Sequence, residues 1–204
     1  MHINENSILS ETNGMVVCGG KSSRMGMDKS KILYHGKQQQ YHVYEMLQPF
    51  CERVFISCRE DQVNDIEESY TTLPDLTAYQ NIGPMAALLT SFHQFPDRNL
   101  LFIGCDYPFL TTEDLEHFTD FCRGKKKAVC FYNEQEDIYE PLLAWYPFTI
   151  ADELTRQYTS HQYSLQYFLR NSKAEIFYPE NKRSIISVDT KEDLHAASKL
   201  IQRG

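Results

Sequence analysis

The feature that most constrains the fold of this sequence is the uninterrupted apolar run from Leu100 to Cys105. A strand with one face in water alternates apolar and polar residues, and this run does not alternate. It therefore predicts a strand covered on both faces, as in a parallel sheet between two layers of helices. Earlier strands are predicted at 14–18 and 53–58, and residues 38–49 between them carry apolar side chains at helical spacing. This alternation predicts an α/β fold with three layers and a mainly parallel sheet.

The rest of the chain continues the alternation of strands and helices. Pro84 suits the first turn of a helix, and another helix is predicted from Thr111 or Thr112 to about Arg123. Aromatic side chains at helical spacing predict a packed helix within 158–168. Further strands are predicted near 127–132, 141–146, 174–178 and 184–188, and a final amphipathic helix is predicted over 190–202.

Length and composition limit the class of protein. The 204 residues suit a flexible N-terminal tail at 1–13 followed by a single domain at 14–204. With a net charge of −8 and no cationic run longer than 125–127, the chain is not expected to bind nucleic acid. No apolar stretch approaches the ~18 residues that span a bilayer, and no signal peptide is visible, so no membrane contact is expected. The six cysteines form no C-x-x-C pair, which indicates reduced thiols and a cytoplasmic protein.

A glycine loop follows the first predicted strand. Gly19 and Gly20 allow backbone N–H groups to approach a phosphate without a β-carbon in the way. Lys21, Arg24 and Lys29 add positive charge to the same segment. The spacing matches neither G-x-x-x-x-G-K-[ST] nor G-x-G-x-x-G, so it predicts neither a P-loop nor a dinucleotide-binding turn. We interpret the segment as a phosphate-binding loop, and a glycine turn with solvated cations is the alternative.

A second chemical feature lies at the end of the predicted strand 99–105. Asp106 follows this buried strand, and the carboxyl ends of neighbouring parallel strands meet at one edge of a sheet. Mg²⁺ is commonly held by one or two carboxylates together with phosphate oxygens, so Asp106 is a candidate ligand for it. The residues alone leave a second interpretation open, in which Asp106 forms a turn before Pro108.

Residues 17–29 read V-C-G-G-K-S-S-R-M-G-M-D-K. They are similar to the signature L-A-G-G-x-S-x-R-M-G-x-D-K of the molybdenum cofactor guanylyltransferases, the MobA-type proteins, and the chain resembles this family over about residues 14–198. Weaker blocks follow in the family's order: 83–87 is similar to G-P-L-A-G, 105–110 to C-D-M-P-F-L, 140–144 to Q-P-L-x-A and 187–194 to N-I-N-T-P-E-D-L.

The resemblance implies a three-layer α/β/α, Rossmann-like nucleotidyltransferase fold. It also implies transfer of GMP from GTP to molybdopterin with release of pyrophosphate, Mg²⁺ as cofactor, and transient contact with other molybdenum cofactor proteins. Arg24, Lys29 and Asp106 would be the catalytic residues, and Asp106 would also hold the metal ion. The nucleotide would contact Val17, Cys18, Gly19, Gly20, Lys29, Ser57, Asp75 and Asp106.

Several residues depart from the family pattern. Ser57 stands where the family has an asparagine, and Ser187 and Asp189 replace two asparagines near the acceptor site. Asp189 is either a second metal ligand or a weaker partner for an anionic acceptor. Asp28 either orients Lys29 by a charge pair or is simply solvated.

Three other functions are weighed against guanylyl transfer. Cytidylyl transfer from CTP is the main alternative, because cytidylyltransferases carry an aspartate in a block like that around Asp189. A catalytically inactive GTP-binding accessory protein is the second. The third, a sugar-1-phosphate nucleotidyltransferase, generally has a longer chain and an x-G-x-G-T-R loop that is missing from this sequence.

Overall fold

The computed structural model describes residues 9–18 and 28–201. These residues form one seven-stranded sheet with helices on both faces. The strands are β1 (Thr12–Val17), β2 (Arg53–Cys58), β3 (Thr72–Pro74), β4 (Asn99–Gly104), β5 (Val129–Asn133), β6 (Ile138–Tyr146) and β7 (Glu175–Phe177). The helices are α1 (Gln39–Leu47), α2 (Met85–Gln94), α3 (Thr112–Cys122), α4 (Ala151–Thr159), α5 (Leu165–Asn171) and α6 (Lys191–Ile201).

The sheet has the order β3-β2-β1-β4-β6-β5-β7. Only β6 among these strands runs against its neighbours, since it pairs antiparallel with β4 and β5 while the other pairs are parallel. The prediction of a mainly parallel α/β sheet is therefore confirmed. β4 lies at the centre of the sheet, between β1 and β6.

Two apolar cores lie on opposite faces of the sheet, and β4 contributes to both in alternation. Leu101 and Ile103 pack with α1 and α3 on one face. Leu100 and Phe102 pack with α2, α4 and α5 on the other. All four side chains are completely buried, which a strand can achieve only if both of its faces are covered.

Local signals explain where several elements begin. Thr111 caps α3, because its hydroxyl accepts a hydrogen bond from the N–H of Asp114 while the Asp114 carboxylate accepts one from the N–H of Thr111. α2 begins after Pro84, as predicted. Among the described residues, no helix combines the length and apolar character needed to cross a membrane.

The N-terminal boundary differs from the prediction. β1 begins at Thr12, and the buried Leu9 donates a backbone hydrogen bond to the carbonyl of Phe50 at 2.9 Å. Residues 9–13 are therefore part of the packed domain rather than of a tail. Residues 1–8 lie outside the described part of the chain.

Two predicted elements need correction. Residues 184–188 are not a strand: Ser184 closes a turn on Asn181, and Val188 donates its N–H to the carbonyl of Asp106 at 2.8 Å. The helix predicted within 158–168 is two helices, because α4 ends at Thr159 and α5 begins at Leu165. β3 was not predicted, since it has only three residues and ends in proline at the edge of the sheet.

Candidate active site

The carboxyl ends of β1, β2, β3 and β4 lie side by side at one edge of the sheet. The register pairs Val17 of β1 with Ser57 of β2 and with Gly104 of β4. Asp75, directly after β3, donates its backbone N–H to the carbonyl of Cys58 at 2.9 Å. Asp106 comes two residues after the end of β4. The topology thus brings four of the chain's candidate segments to the edge where α/β sheets bind ligands.

A cavity of about 660 Å³ opens between the ends of β1 to β3 and the start of α2. This volume lies within the range of ordinary small-molecule sites. Three predicted nucleotide contacts, Val17, Ser57 and Asp75, line it together. The other lining residues were not predicted to contact a ligand: Arg59, Glu60, Asp61, Gln80, Asn81, Gly83, Pro84, Ala86 and Ala87.

Asp75 supplies a half-buried carboxylate to this cavity. The hydroxyl of Ser57 donates to Asp75 Oδ1 at 3.3 Å. The loop that carries Asp75 is fixed to α2 by a 3.0 Å hydrogen bond from the N–H of Leu76 to the hydroxyl of Thr90. Burial raises the pKa of Asp75 to about 6, and Ser57 and Arg59 oppose that rise. The carboxylate is therefore a fixed acceptor that is charged above about pH 6.

Asp106 is held in a tight turn after β4. Its Oδ1 is completely buried and has no hydrogen-bond partner within residues 9–18 and 28–201. Burial raises the pKa of this carboxyl group to about 6, with Lys29 opposing the rise. A β-carbon at Gly104 would lie in hard contact with Oδ1, so the glycine provides the space in which the carboxylate sits.

This arrangement fits a magnesium ion that is shared with a nucleotide. A buried carboxylate oxygen without a partner is costly unless a cation or donor completes it. Among the described residues, no group of three or more His, Cys, Asp and Glu side chains could enclose a metal ion. Mg²⁺ does not require such a group, because it is usually bound by one or two carboxylates plus phosphate oxygens and water. Asp106 is the residue that would hold it.

Lys29 reaches the same edge from the turn Lys29–Lys31. Its Nζ lies 2.5 Å from Asp189 Oδ1, and the hydroxyl of Ser187 donates to Asp189 Oδ2 at 2.8 Å. Partial burial opposes ionisation of Asp189, but the hydrogen bonds from Lys29 and Ser187 prevail and lower its pKa. Asp189 is therefore an anion in contact with the predicted catalytic lysine.

The partner of Lys29 corrects one interpretation of the sequence. Asp28 does not pair with Lys29. Its carboxylate instead accepts from the N–H and hydroxyl of Ser30, at 3.0 and 2.6 Å, and caps the turn that follows.

A buried hydrogen bond that sequence reasoning missed lies beside Asp106. The hydroxyl of Tyr107 donates to Glu140 Oε2 at 2.9 Å. Burial raises the pKa of Glu140 to about 7. The hydrogen bond from Tyr107 opposes this rise in pKa, and the charge of nearby Asp106 adds to the rise. The space beside Gly104 that holds Asp106 Oδ1 is also bordered by the ring of Tyr107 and the side chain of Leu142. These two side chains therefore lie next to the Asp106 carboxylate. The sequence feature that could have pointed to this hydrogen bond is the block at 140–142, in which Glu140 replaces the glutamine of the family pattern.

Cys18 lies at the same edge but does not line the cavity. Its thiol contacts that of Cys105, and this contact together with burial raises the pKa of Cys18 well above the usual thiol value. All six cysteines of the chain are described, and each is a free thiol. A thiol with a raised pKa is a poor nucleophile, so no nucleophilic role is assigned to the Cys18 side chain. The predicted nucleotide contact of Cys18 stays a prediction.

Part of the predicted site falls outside the described residues. Gly19, Gly20 and Arg24, with the remainder of 19–27, belong to that segment. Ser57, Asp75, Lys29 and Asp106 are described, and the structure brings them to one edge.

Comparisons with known proteins agree on the type of protein. The model of the MobA-like NTP transferase domain matches residues 14–176. The chain is 29% identical over 181 residues to the molybdenum cofactor biosynthesis bifunctional protein of Synechocystis sp., covering 88% of this chain and 52% of that protein. It is 23% identical over 186 residues to the molybdenum cofactor guanylyltransferase of Campylobacter jejuni subsp. doylei, covering 91% of this chain and 94% of that protein.

Thus the chain spans about half the length of the Synechocystis relative and nearly all of the Campylobacter one. The fold resembles the crystal structure of molybdopterin-guanine dinucleotide biosynthesis protein A from Archaeoglobus fulgidus, with a TM-score of 0.74 and 22% identity over 94% of this chain and 100% of that one. At this identity the likeness concerns the fold, and the family follows from the match over most of the chain. The chain belongs to the MobA-like NTP transferase domain family and is a nucleotidyltransferase.

Proposed function

We propose that this nucleotidyltransferase transfers GMP from GTP to molybdopterin and releases pyrophosphate. The observation that carries the proposal is the buried Asp106 Oδ1, which has no hydrogen-bond partner in the described part of the chain and lies at the same sheet edge as a nucleotide-sized cavity. A buried carboxylate is suited to bind a metal ion that also contacts phosphate oxygens. The cavity is suited to hold the base and the ribose of the nucleotide. The Campylobacter relative, named a molybdenum cofactor guanylyltransferase, matches over most of both chains and supports this choice of substrates.

The carboxylate of Asp75 favours guanine as the base. Guanine presents two adjacent donors, its N1–H and its 2-amino group, to a pair of carboxylate oxygens. Cytosine presents one amino donor beside a ring nitrogen that is an acceptor, and a second carboxylate oxygen would repel that nitrogen. A carboxylate that accepts two hydrogen bonds from the base therefore discriminates strongly between guanine and cytosine. Ser57, which donates to Asp75, keeps the carboxylate oriented toward the cavity.

The chemistry requires charge neutralisation and alignment rather than a strong base. The terminal phosphate of the acceptor is already anionic near neutral pH and can attack the α-phosphorus directly. We propose that Lys29 and Arg24 stabilise the charge that develops on the transferring group, and that Gly19 and Gly20 contact the phosphates through their backbone. The nucleotide is held in line for the acceptor by the cavity walls, including Val17.

Asp106 is the proposed ligand of Mg²⁺. When bound, this ion supplies positive charge to the phosphate oxygens and eases the departure of pyrophosphate. Gly104 leaves room for the carboxylate, and Tyr107 and Leu142 border the same space. The chain's own contribution is a carboxylate kept in one position before the nucleotide arrives.

Two alternatives remain distinguishable. Asp189 stands where guanylyltransferases have asparagine, and it favours the CTP-dependent reaction. The presence of Lys29 and Asp106 at one edge argues against an inactive GTP-binding protein. The free thiols suit a reducing compartment, so we place the reaction in the cytoplasm, where the protein would meet other molybdenum cofactor proteins.

The proposal is tested by pyrophosphate release in the presence of molybdopterin and, in separate reactions, GTP, CTP, ATP or UTP. We expect GTP to give the highest kcat/KM. Asp106→Ala should abolish Mg²⁺-dependent turnover without unfolding the protein, and full activity of this variant would contradict the assignment of the metal site. Binding of GTP by the wild-type protein without product would favour the inactive alternative.

A further inference from the structure

An aromatic cluster lies at the hairpin between β5 and β6. Tyr132 and Tyr139 face each other across the hairpin with ring centroids 5.3 Å apart, and Tyr178 lies beyond the end of β7 with its ring 5.7 Å from that of Tyr132. The interplanar angles of 75° and 83° are those of edge-to-face contacts. We call Tyr132, Tyr139 and Tyr178 the tyrosine cluster. Tyr178 is 54% exposed, so much of this residue remains accessible to a ligand.

The hairpin is braced in a way that fixes these rings. Asp137 has a left-handed backbone with φ of 55°, an unfavourable conformation for a residue other than glycine. The hydroxyl of Tyr132 donates to Asp137 Oδ1 at 2.5 Å, and Arg170 donates to the backbone carbonyl of Asp137 at 2.6 Å. The guanidinium of Arg170 also lies 5.5 Å from the centroid of the Tyr139 ring. The brace preorganises the exposed aromatic surface and costs backbone strain.

The cluster lies on the side of Asp106 that is opposite the nucleotide cavity. The last pair of the β4–β6 ladder is Ile103 with Leu143, and the other residues of β6, Ile138 to Leu142, extend toward the edge that carries Asp106. The hydrogen bond from Tyr107 to Glu140 places the start of β6, and with it Tyr139, beside the turn of Asp106. The cavity lies toward β1, β2 and β3, whereas β6, β5 and β7 follow on the other side of β4. Neighbouring strands are ~4.8 Å apart, so the cluster starts within about two strand widths of Asp106.

We propose that the tyrosine cluster is the surface on which the planar ring system of the acceptor stacks. This inference rests on the proposed function, because that proposal supplies an acceptor with a pterin ring. The acceptor phosphate must approach from a side that the nucleotide does not fill, and β6 lies on the side of β4 away from the cavity. Flat heterocycles bind exposed aromatic side chains through stacking, whatever their hydrogen-bonding edges. Tyr178 offers the open face, while Tyr132 and Tyr139 hold it in place.

The test compares Tyr178→Ala with Tyr178→Phe and with Tyr167→Ala, whose tyrosine is 48% exposed on α5 and outside the cluster. In Tyr178→Ala we expect the KM for molybdopterin to rise about tenfold or more, while the KM for GTP and the kcat at saturating acceptor stay near wild type. Tyr178→Phe should restore the KM, because stacking needs the ring and not the hydroxyl. Tyr167→Ala should resemble wild type.

A second readout does not depend on turnover. 6-Hydroxymethylpterin, titrated with protein and no nucleotide, should lose fluorescence on binding wild type and Tyr178→Phe but not Tyr178→Ala. If wild type turns over and Tyr178→Ala has an unchanged acceptor KM and unchanged quenching, the inference is overturned and the proposed function stands. If wild type lacks turnover while quenching still depends on Tyr178, the proposed function fails and the pterin surface is supported.

Discussion

Replacement of Gly104 by alanine tests whether the position of the Asp106 carboxylate controls activity. The new methyl group would lie 3.0 Å from Leu142 Cβ and 3.2 Å from Tyr107 Cε2, and closer still to Asp106 Oδ1. Unstrained contacts between carbon and oxygen are ~3.3–3.6 Å. The carboxylate is the end of a short, rotatable side chain, so it will yield before the backbone does. Oδ1 must retreat by at least about 0.5 Å.

The expected loss follows from this displacement. Catalytic groups work within about 0.5 Å of their productive position, and a misplacement of about 1 Å can cost about 100-fold in rate. We therefore expect kcat/KM in Gly104→Ala to fall about 10- to 100-fold, equivalent to about 1.4–2.7 kcal/mol in the activation free energy. Overpacking should lower the free energy of unfolding by about 1–3 kcal/mol, which leaves the protein folded at assay temperature.

The assay is Mg²⁺-dependent pyrophosphate release, measured with the melting temperature of each variant. Gly14→Ala is the matched control. Gly14 lies in β1, three residues before Val17, and its methyl group would meet Cys51 Sγ at 3.1 Å and Leu47 Cβ at 3.3 Å. We expect a similar loss of stability there but kcat/KM within about twofold of wild type. Equal activity of Gly104→Ala and Gly14→Ala would refute the reasoning.

Three further outcomes are expected. Because Asp75 is charged only above its pKa of about 6, GTP affinity should weaken as pH falls through 6, by about tenfold per unit below it, and the difference from Asp75→Asn in calorimetric titrations isolates this effect. Lys29→Met should lower kcat/KM by about 100- to 1000-fold, whereas Lys31→Met, which breaks an exposed pair with Asp65, should not; equal activities would contradict the role of Lys29. Asp189→Asn removes a negative charge beside the acceptor and should lower the acceptor KM by about two- to fivefold, while a higher Mg²⁺ requirement instead would identify Asp189 as a metal ligand.

The layered architecture could be predicted because a strand buried on both faces has a continuous run of apolar residues, which is visible in the sequence. The run from Leu100 to Cys105 predicts a strand covered on both faces, and β4 is covered on both faces at the centre of the sheet. The strand predicted near 184–188 is wrong, although Ile185, Ile186 and Val188 are β-branched. There Val188 bonds to the turn at Asp106 instead of to a ladder, and Ile186 is 46% exposed. A segment forms a strand only where another strand has a free edge to pair with, and a local sequence pattern does not show this.

The site was predictable where one segment carries the chemistry and unpredictable where two distant segments meet. Asp106 was a candidate from its place after a buried strand. By contrast, Lys29 and Asp189 are 160 residues apart, and no local pattern indicates that they pair. The hydrogen bond between Tyr107 and Glu140 could not be predicted for the same reason. The antiparallel pairing of β6 with β4 brings these two residues together.

The central claim is tested most directly by competition among nucleotides for one acceptor. The protein is incubated with molybdopterin, Mg²⁺ and an equimolar mixture of GTP, CTP, ATP and UTP, and the dinucleotide product is identified by mass spectrometry. The two adjacent donors of guanine opposite Asp75 predict molybdopterin guanine dinucleotide as the main product. A predominant cytosine dinucleotide would contradict the account of base choice, and no dinucleotide at all would contradict the proposed transfer.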